Sequence, residues 1–217
     1  MKKRIFTGAA TALITPMNND YTVNFDALKA LVDEQINEGI DALVICGTTG
    51  EKSTLRYDEH VKVIEEAAKT ANGRVPIIAG TGSNDTAYAV DLTKFACEIG
   101  CDAMLVVTPY YNKATQNGLV KLFSEYASVS DVPIIAYNVP SRTGLNIEPS
   151  TYVKLAEIDG VAAIKEANSN ISKIVDTFAL VGDKLDIYSG NDDQIVPFLS
   201  MGGKGVISVL SNVIPKE

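Results

Sequence analysis

Lys165 closes the apolar run Val161-Ala162-Ala163-Ile164, a place where a solvated ammonium has no reason to stand. A lysine shielded from water there is biased towards its neutral amine, the form that attacks carbonyl carbon. A rim lysine paired with Glu166 fits the same position, and position alone leaves both readings open. Tyr137 ends the preceding apolar run. A phenol beside an amine can shuttle the protons that carbinolamine formation and dehydration require, although a core aromatic with a satisfied hydroxyl is the simpler reading of Tyr137 alone. Gly47-Thr48-Thr49-Gly50-Glu51 offers two hydroxyls and turn amides suited to a carboxylate or oxyanion. It lacks the Gly-Lys-Ser/Thr ending of a phosphate loop. Arg142, within Asn138-Val139-Pro140-Ser141-Arg142-Thr143-Gly144, could fork onto a substrate carboxylate or be solvated. His60 reads as a helix-surface histidine without a serine or cysteine partner, which argues against Ser-His-Asp hydrolysis.

Such groups need a frame that brings distant residues together. Short runs rich in Val, Ile, Leu and Ala begin near residues 9, 41, 75, 103, 133, 161, 186 and 205, a mean spacing of about 28 residues. They are continuous rather than alternating, as strands covered on both faces are. Helical segments fall between them: residues 24–39 with Asn24 as N-cap and Gly39 past the end, 57–73, 85–100, 118–129, 149–158 with Pro149 in the first turn, 171–182, and a shorter 192–203 carrying Pro197. Eight such units, with no linker between them, predict an α/β chain folded as one (β/α)8 TIM barrel over residues 1–217. The glycine fingerprint of a doubly wound sheet is missing after the first run, which ends in Thr15-Pro16-Met17-Asn18. In such a barrel the active site gathers at the C-terminal strand ends, which selects Thr15, the 47–51 turn, Thr81, Thr108, Tyr110, Tyr111, Tyr137, Asn138, Lys165, Glu166, Ser189 and Gly190. Gly202-Gly203-Lys204-Gly205 precedes the eighth run and falls at the opposite end. About eight residues remain after that run, too few for a covering helix. The expected barrel therefore lacks its last helix and leaves apolar surface for a partner to cover.

Of 217 residues, 46% are hydrophobic and 21% charged, with a formal net charge of −8. A chain this acidic argues against nucleic acid and anionic membrane surfaces as partners. One histidine and three cysteines (Cys46, Cys97, Cys101) supply too few soft ligands for a structural zinc site. The cysteines read as small packing residues in a reducing cytoplasm, Cys97 and Cys101 sharing a face if both are helical. Met1-Lys2-Lys3-Arg4-Ile5-Phe6 has the charged start of a secretion signal, but the stretch behind it is broken by threonines, a glycine and a proline and reads as a buried strand.

Four segments in order, Gly47–Glu51 (GTTGE), Thr108–Asn112 (TPYYN), Tyr137–Gly144 (YNVPSRTG) and Ile164–Ala167 (IKEA), resemble the dihydrodipicolinate synthase branch of the N-acetylneuraminate lyase family, Schiff-base class I aldolases. The likeness runs from about Phe6 to the last residue. It implies that Lys165 forms an imine with pyruvate while Tyr137 donates and accepts protons. Thr48 would link Tyr137 to Tyr111, and Tyr111 would reach the site across a dimer interface. Thr48 and Thr49 would hold the pyruvate carboxylate, Arg142 that of aspartate semialdehyde, and backbone at Gly190 and Ile207 would line the pocket. The implied activity is condensation to 4-hydroxy-tetrahydrodipicolinate in lysine and diaminopimelate biosynthesis, by a cytoplasmic homo-oligomer without metal or cofactor. Another pyruvate-dependent aldolase, or an impaired barrel serving as an assembly module, remains open. Family members continue past Glu217 with the last barrel helix and a further helical region. Some bind lysine as inhibitor; Asn84, His60 and Tyr110 match that site, whereas Tyr88 replaces an acid and Lys52 adds a positive charge, which implies weak or absent inhibition here.

Overall fold

Strands buried on both faces favour Val, Ile, Leu and Ala, and the eight runs of those residues pair in parallel, in chain order, into one closed barrel. A computed structural model describes residues 4–216; Met1, Lys2 and Lys3 of the charged N-terminal start, and Glu217, lie outside the described residues. The strands are β1 (Gly8–Ala12), β2 (Ala42–Ile45), β3 (Ile77–Gly80), β4 (Ala103–Val107), β5 (Ile134–Asn138), β6 (Val161–Glu166), β7 (Asp186–Ser189) and β8 (Gly205–Ser208). Each begins within two residues of its predicted start. The ring closes where β1 meets β8, with Gly8 opposite Gly205. A side chain is excluded there: Gly205 has φ +152°, and a Cβ on it would stand 1.8 Å from the Gly8 carbonyl oxygen.

The helices are α1 (Phe25–Asn37), α2 (Tyr57–Ala71), α3 (Thr86–Glu98), α4 (Gln116–Ser128), α5 (Pro140–Thr143), α6 (Pro149–Ala156), α7 (Ile171–Val181) and α8 (Ile195–Ser200). Side-chain caps start α1, α3, α4 and α7: Asn24, Asp85, Thr115 and Asn170 each accept a hydrogen bond from a first-turn amide. Strand alternation sorts the core into two layers. Ala42, Val44, Leu105, Ile135, Tyr137, Ala163 and Ile207 pack inside the barrel, while Leu43, Ile45, Met104, Val106, Ala136 and Ile164 pack outward against the helices.

Several expectations change on contact with the structure. His60 is buried rather than on the surface, because α2 turns it towards the barrel wall, where its ring meets the Tyr88 hydroxyl and the Gly80 carbonyl, each at 3.1 Å. Cys101 lies beyond Gly100, outside α3, so it shares no helical face with Cys97. The short helix α5 lies outside the predicted helical segments. Past β8 the described chain makes only a 3-10 turn, Leu210–Asn212. An apolar cleft of about 510 Å³, lined by Ile195, Leu199, Val206, Leu210 and Ile214 among others, lies outside β8. Among the described residues, no helix is long and apolar enough to cross a membrane.

Candidate active site

Strand alternation places the reactive side chains before any specific contact does. β5 and β6 pair with Tyr137 opposite Lys165 and Asn138 opposite Glu166, so the first pair points into the barrel and the second into the helix layer. Lys165 therefore turns away from Glu166, and no ion pair joins them among the described residues; the rim-pair reading falls. The Lys165 side chain is buried, and its Nζ stands 4.4 Å from the centroid of the Tyr137 ring, over the π face. Burial pushes the amine down from 10.5 to about 7; Asp192 pulls it back up and Arg142 presses it further down. Burial raises the Tyr137 phenol, against the Thr48 hydroxyl bonded to it and the nearby Arg142 charge. An amine of this kind is substantially neutral at pH 7, and the phenol beside it keeps its proton.

Above the pair opens a cleft of about 410 Å³ whose lining includes Thr48, Thr49, Tyr137, Arg142, Lys165 and Gly190. The 47–51 turn reaches it by a backbone device other than its glycines. Cys46 and Glu51 take the left-handed conformation, both at φ 56°. Gly50 serves close packing instead, since a Cβ there would sit 2.9 Å from the Leu13 carbonyl oxygen. Thr15 ties the turn to β1 by donating to the Gly50 carbonyl at 2.7 Å. The amides of Thr48 and Thr49 have no hydrogen-bond partner among the described residues. Arg142 is exposed on the far rim, on α5, which starts at Pro140 and stops at Gly144 with φ +66°. Gly190 lies against β6, its amide donating to the Glu166 carbonyl at 2.7 Å.

Two of the predicted site residues stand apart. Ile207 is fully buried inside the barrel, packed in the layer that holds Tyr137, and does not line the cleft. Tyr111 is 92% exposed with φ +68°, so within one chain its hydroxyl is outside the cleft. Asp192 also lines the cleft and lies outside the predicted site residues, because in the sequence it reads as the start of a helix. One of its oxygens accepts from the amides of Val209 and Leu210 at 3.1 and 3.0 Å, and the other is buried without a partner. Its only signal in the sequence is its place two residues after Gly190. Around Tyr88 the structure sets a cation rather than an acid: Lys52 is buried with its Nζ donating to the Gly82 carbonyl, and His60, pushed down to about 4 by burial and by Lys52, is neutral. Among the described residues no group of three or more His, Cys, Asp or Glu could hold a metal ion.

Comparison with known proteins follows the same lines. Residues 5–217 match the model of the Dihydrodipicolinate synthetase family. A 4-hydroxy-tetrahydrodipicolinate synthase of Acetivibrio thermocellus is 54% identical over 217 residues, 100% of this chain and 73% of the relative. Among solved structures, dihydrodipicolinate synthase from Aquifex aeolicus superposes with a TM-score of 0.94 at 46% identity, covering 97% of this chain and 72% of that one. The chloride-inhibited dihydrodipicolinate synthase from Acinetobacter baumannii, complexed with pyruvate, gives a TM-score of 0.94 at 43% identity over 97% of this chain and 72% of that one.

Proposed function

The chain belongs to the dihydrodipicolinate synthetase family, and from that premise we propose that it condenses pyruvate with L-aspartate 4-semialdehyde to give 4-hydroxy-tetrahydrodipicolinate, with Lys165 as the covalent centre. The observation that carries the assignment of Lys165 is its buried amine, lowered to about 7, over the Tyr137 ring at the floor of the cleft.

The chemistry then runs through groups in place. The neutral amine attacks the ketone carbon of pyruvate, and Tyr137 gives the proton that turns the departing hydroxyl into water, leaving an imine. The unbonded amides of Thr48 and Thr49 and their hydroxyls receive the pyruvate carboxylate. Loss of a methyl proton gives the enamine, whose carbon bonds to the aldehyde carbon of the second substrate. Arg142, on the opposite rim, takes that substrate's carboxylate. The substrate's own amine finally attacks the imine carbon, which closes the ring and frees Lys165. Gly190 lines the cleft beside Lys165. Incubation with pyruvate and borohydride, followed by peptide mass mapping, is expected to place one reduced pyruvate adduct on Lys165. Labelling spread over surface lysines, or none, would defeat the assignment.

Tyr111 acts, in this reading, from a second copy of the chain, its exposed hydroxyl extending the Tyr137–Thr48 relay in the neighbouring cleft. The free cysteines fit a reducing cytoplasm. Tyr111→Phe should lower kcat by about a hundredfold, the lower end of what one positioned proton-transfer group contributes, with the melting temperature unchanged. Turnover equal to the parent would remove Tyr111 from the reaction.

A further inference from the structure

The outward face of the two reactive strands holds a buried polar cluster that the imine step does not touch. Glu166 is 2% exposed, and Asn138 and Tyr152 are wholly buried. Four donated hydrogen bonds converge on the Glu166 carboxylate. The Tyr152 hydroxyl donates to Oε2 at 2.7 Å, and the Asn168 amide to Oε1 at 2.8 Å. The Asn138 side-chain nitrogen donates to Oε1 at 2.9 Å and to Oε2 at 3.2 Å. Each of these partners donates, and an ionised carboxylate satisfies them all because it only accepts.

Asn138 passes this constraint onward. Its nitrogen also donates to the Asn146 side-chain oxygen at 2.8 Å, while its own oxygen accepts from the Ile147 amide at 3.0 Å. The segment from Val139 to Ile147 thus leaves β5 at Asn138 and is pinned back to the same residue. Between those two anchors lies α5 with Arg142. An amide has two ends of nearly equal shape, and its direction is set by neighbours that distinguish donor from acceptor. Glu166 and the Ile147 amide set it together: a reversed Asn138 would aim oxygen at the carboxylate and nitrogen at the Ile147 amide.

We propose that Glu166 is a positioning residue for the second substrate: by fixing the direction of the Asn138 amide it holds the Arg142-bearing segment where it can receive the aldehyde's carboxylate. This rests on the reading of Lys165 and Arg142 given above. Glutamine keeps the shape of Glu166 but presents a donor at one end, so the direction of Asn138 loses its carboxylate anchor and is held by the Ile147 amide alone.

In Glu166→Gln, KM for aspartate semialdehyde is expected to rise about tenfold, the scale of one misplaced hydrogen bond. KM for pyruvate and the rate of borohydride-trapped labelling at Lys165 stay within about twofold, because the inner face of the strands is unchanged. Tyr152→Phe removes one donor but leaves the amide direction set, so its aldehyde KM stays within about threefold of the parent. An unchanged aldehyde KM in Glu166→Gln overturns the proposal. So does a parallel loss of aldehyde affinity and labelling, which marks general loosening, or an equal KM effect in Tyr152→Phe. If the parent chain itself fails to label at Lys165, the imine reading falls first and takes this one with it.

Discussion

Lys165→Met should abolish turnover, by about 10⁴-fold or more, because no other group in the cleft can form the covalent intermediate that divides the reaction into accessible steps. Methionine fills a similar volume and is tolerated in apolar surroundings, so the loss is chemical rather than architectural. The folded state should gain from the change. Burial lowers the Lys165 amine from 10.5 to about 7, which means that the native protein bears the penalty of a charged buried amine in full at and below pH 7. Between about 7 and 10.5 the unfolded chain holds a proton that the folded chain has released, so the stability of the parent rises with pH across that interval. The stabilisation conferred by methionine is accordingly largest at or below pH 7 and shrinks towards pH 10.5. Denaturant melts of both proteins at pH 6 and pH 9 test this, with kcat measured on the same samples. A variant that is inactive and also markedly less stable at pH 6 would show that the lysine is built into the packing rather than held there for its amine.

How much of the fold and site is legible in the sequence depends on whether the signal is local. Strand burial on both faces selects the residue types of the strands themselves, which is why Val161–Glu166 and its seven counterparts are visible as apolar runs and begin within two residues of where they were expected. The rule that barrel sites lie at C-terminal strand ends then converts a one-dimensional list into a place. It places Tyr137, Lys165 and the 47–51 turn at one end of the barrel, where Tyr137, Lys165, Thr48 and Thr49 line one cleft with Arg142. What it could not give is direction. Adjacent residues at a strand end point to opposite faces, and only the register of β5 on β6 says that Lys165 turns inward and Glu166 outward. His60 reads as a surface residue for a similar reason: the turn of α2 that aims it at the barrel wall is not a local signal. Asp192 depends on the fold of the segment after β8, whose amides it accepts from; no pattern near Asp192 encodes that. Asn138 was selected only as a strand-end residue. Its bonds to Glu166, Asn146 and Ile147 join residues up to 28 positions apart.

The rate of imine formation should carry the titration of Lys165 directly. Only the neutral amine attacks, so at fixed pyruvate the initial rate of borohydride-trapped labelling is expected to climb about tenfold per pH unit on the acid side and to level off above about 7. An ordinary lysine at 10.5 would be neutral at pH 7 in only a few molecules in ten thousand, so the buried site gains a factor of about 10³ from desolvation. The acid needed for dehydration does not limit the plateau, since burial raises the Tyr137 phenol and keeps its proton through that range. Glu166 also titrates near 7, but it faces the helix layer, so the midpoint is assigned by the charges that act on Lys165 itself. Arg142 presses the amine down and Asp192 holds it up. Arg142→Gln should therefore move the midpoint to higher pH and Asp192→Asn to lower pH. Opposite displacements of one labelling profile by two rim substitutions would tie it to the Lys165 amine, whereas a midpoint indifferent to both, or one that remains near 10, would mean that the amine is not neutral at physiological pH and that the cleft draws its reactivity from elsewhere.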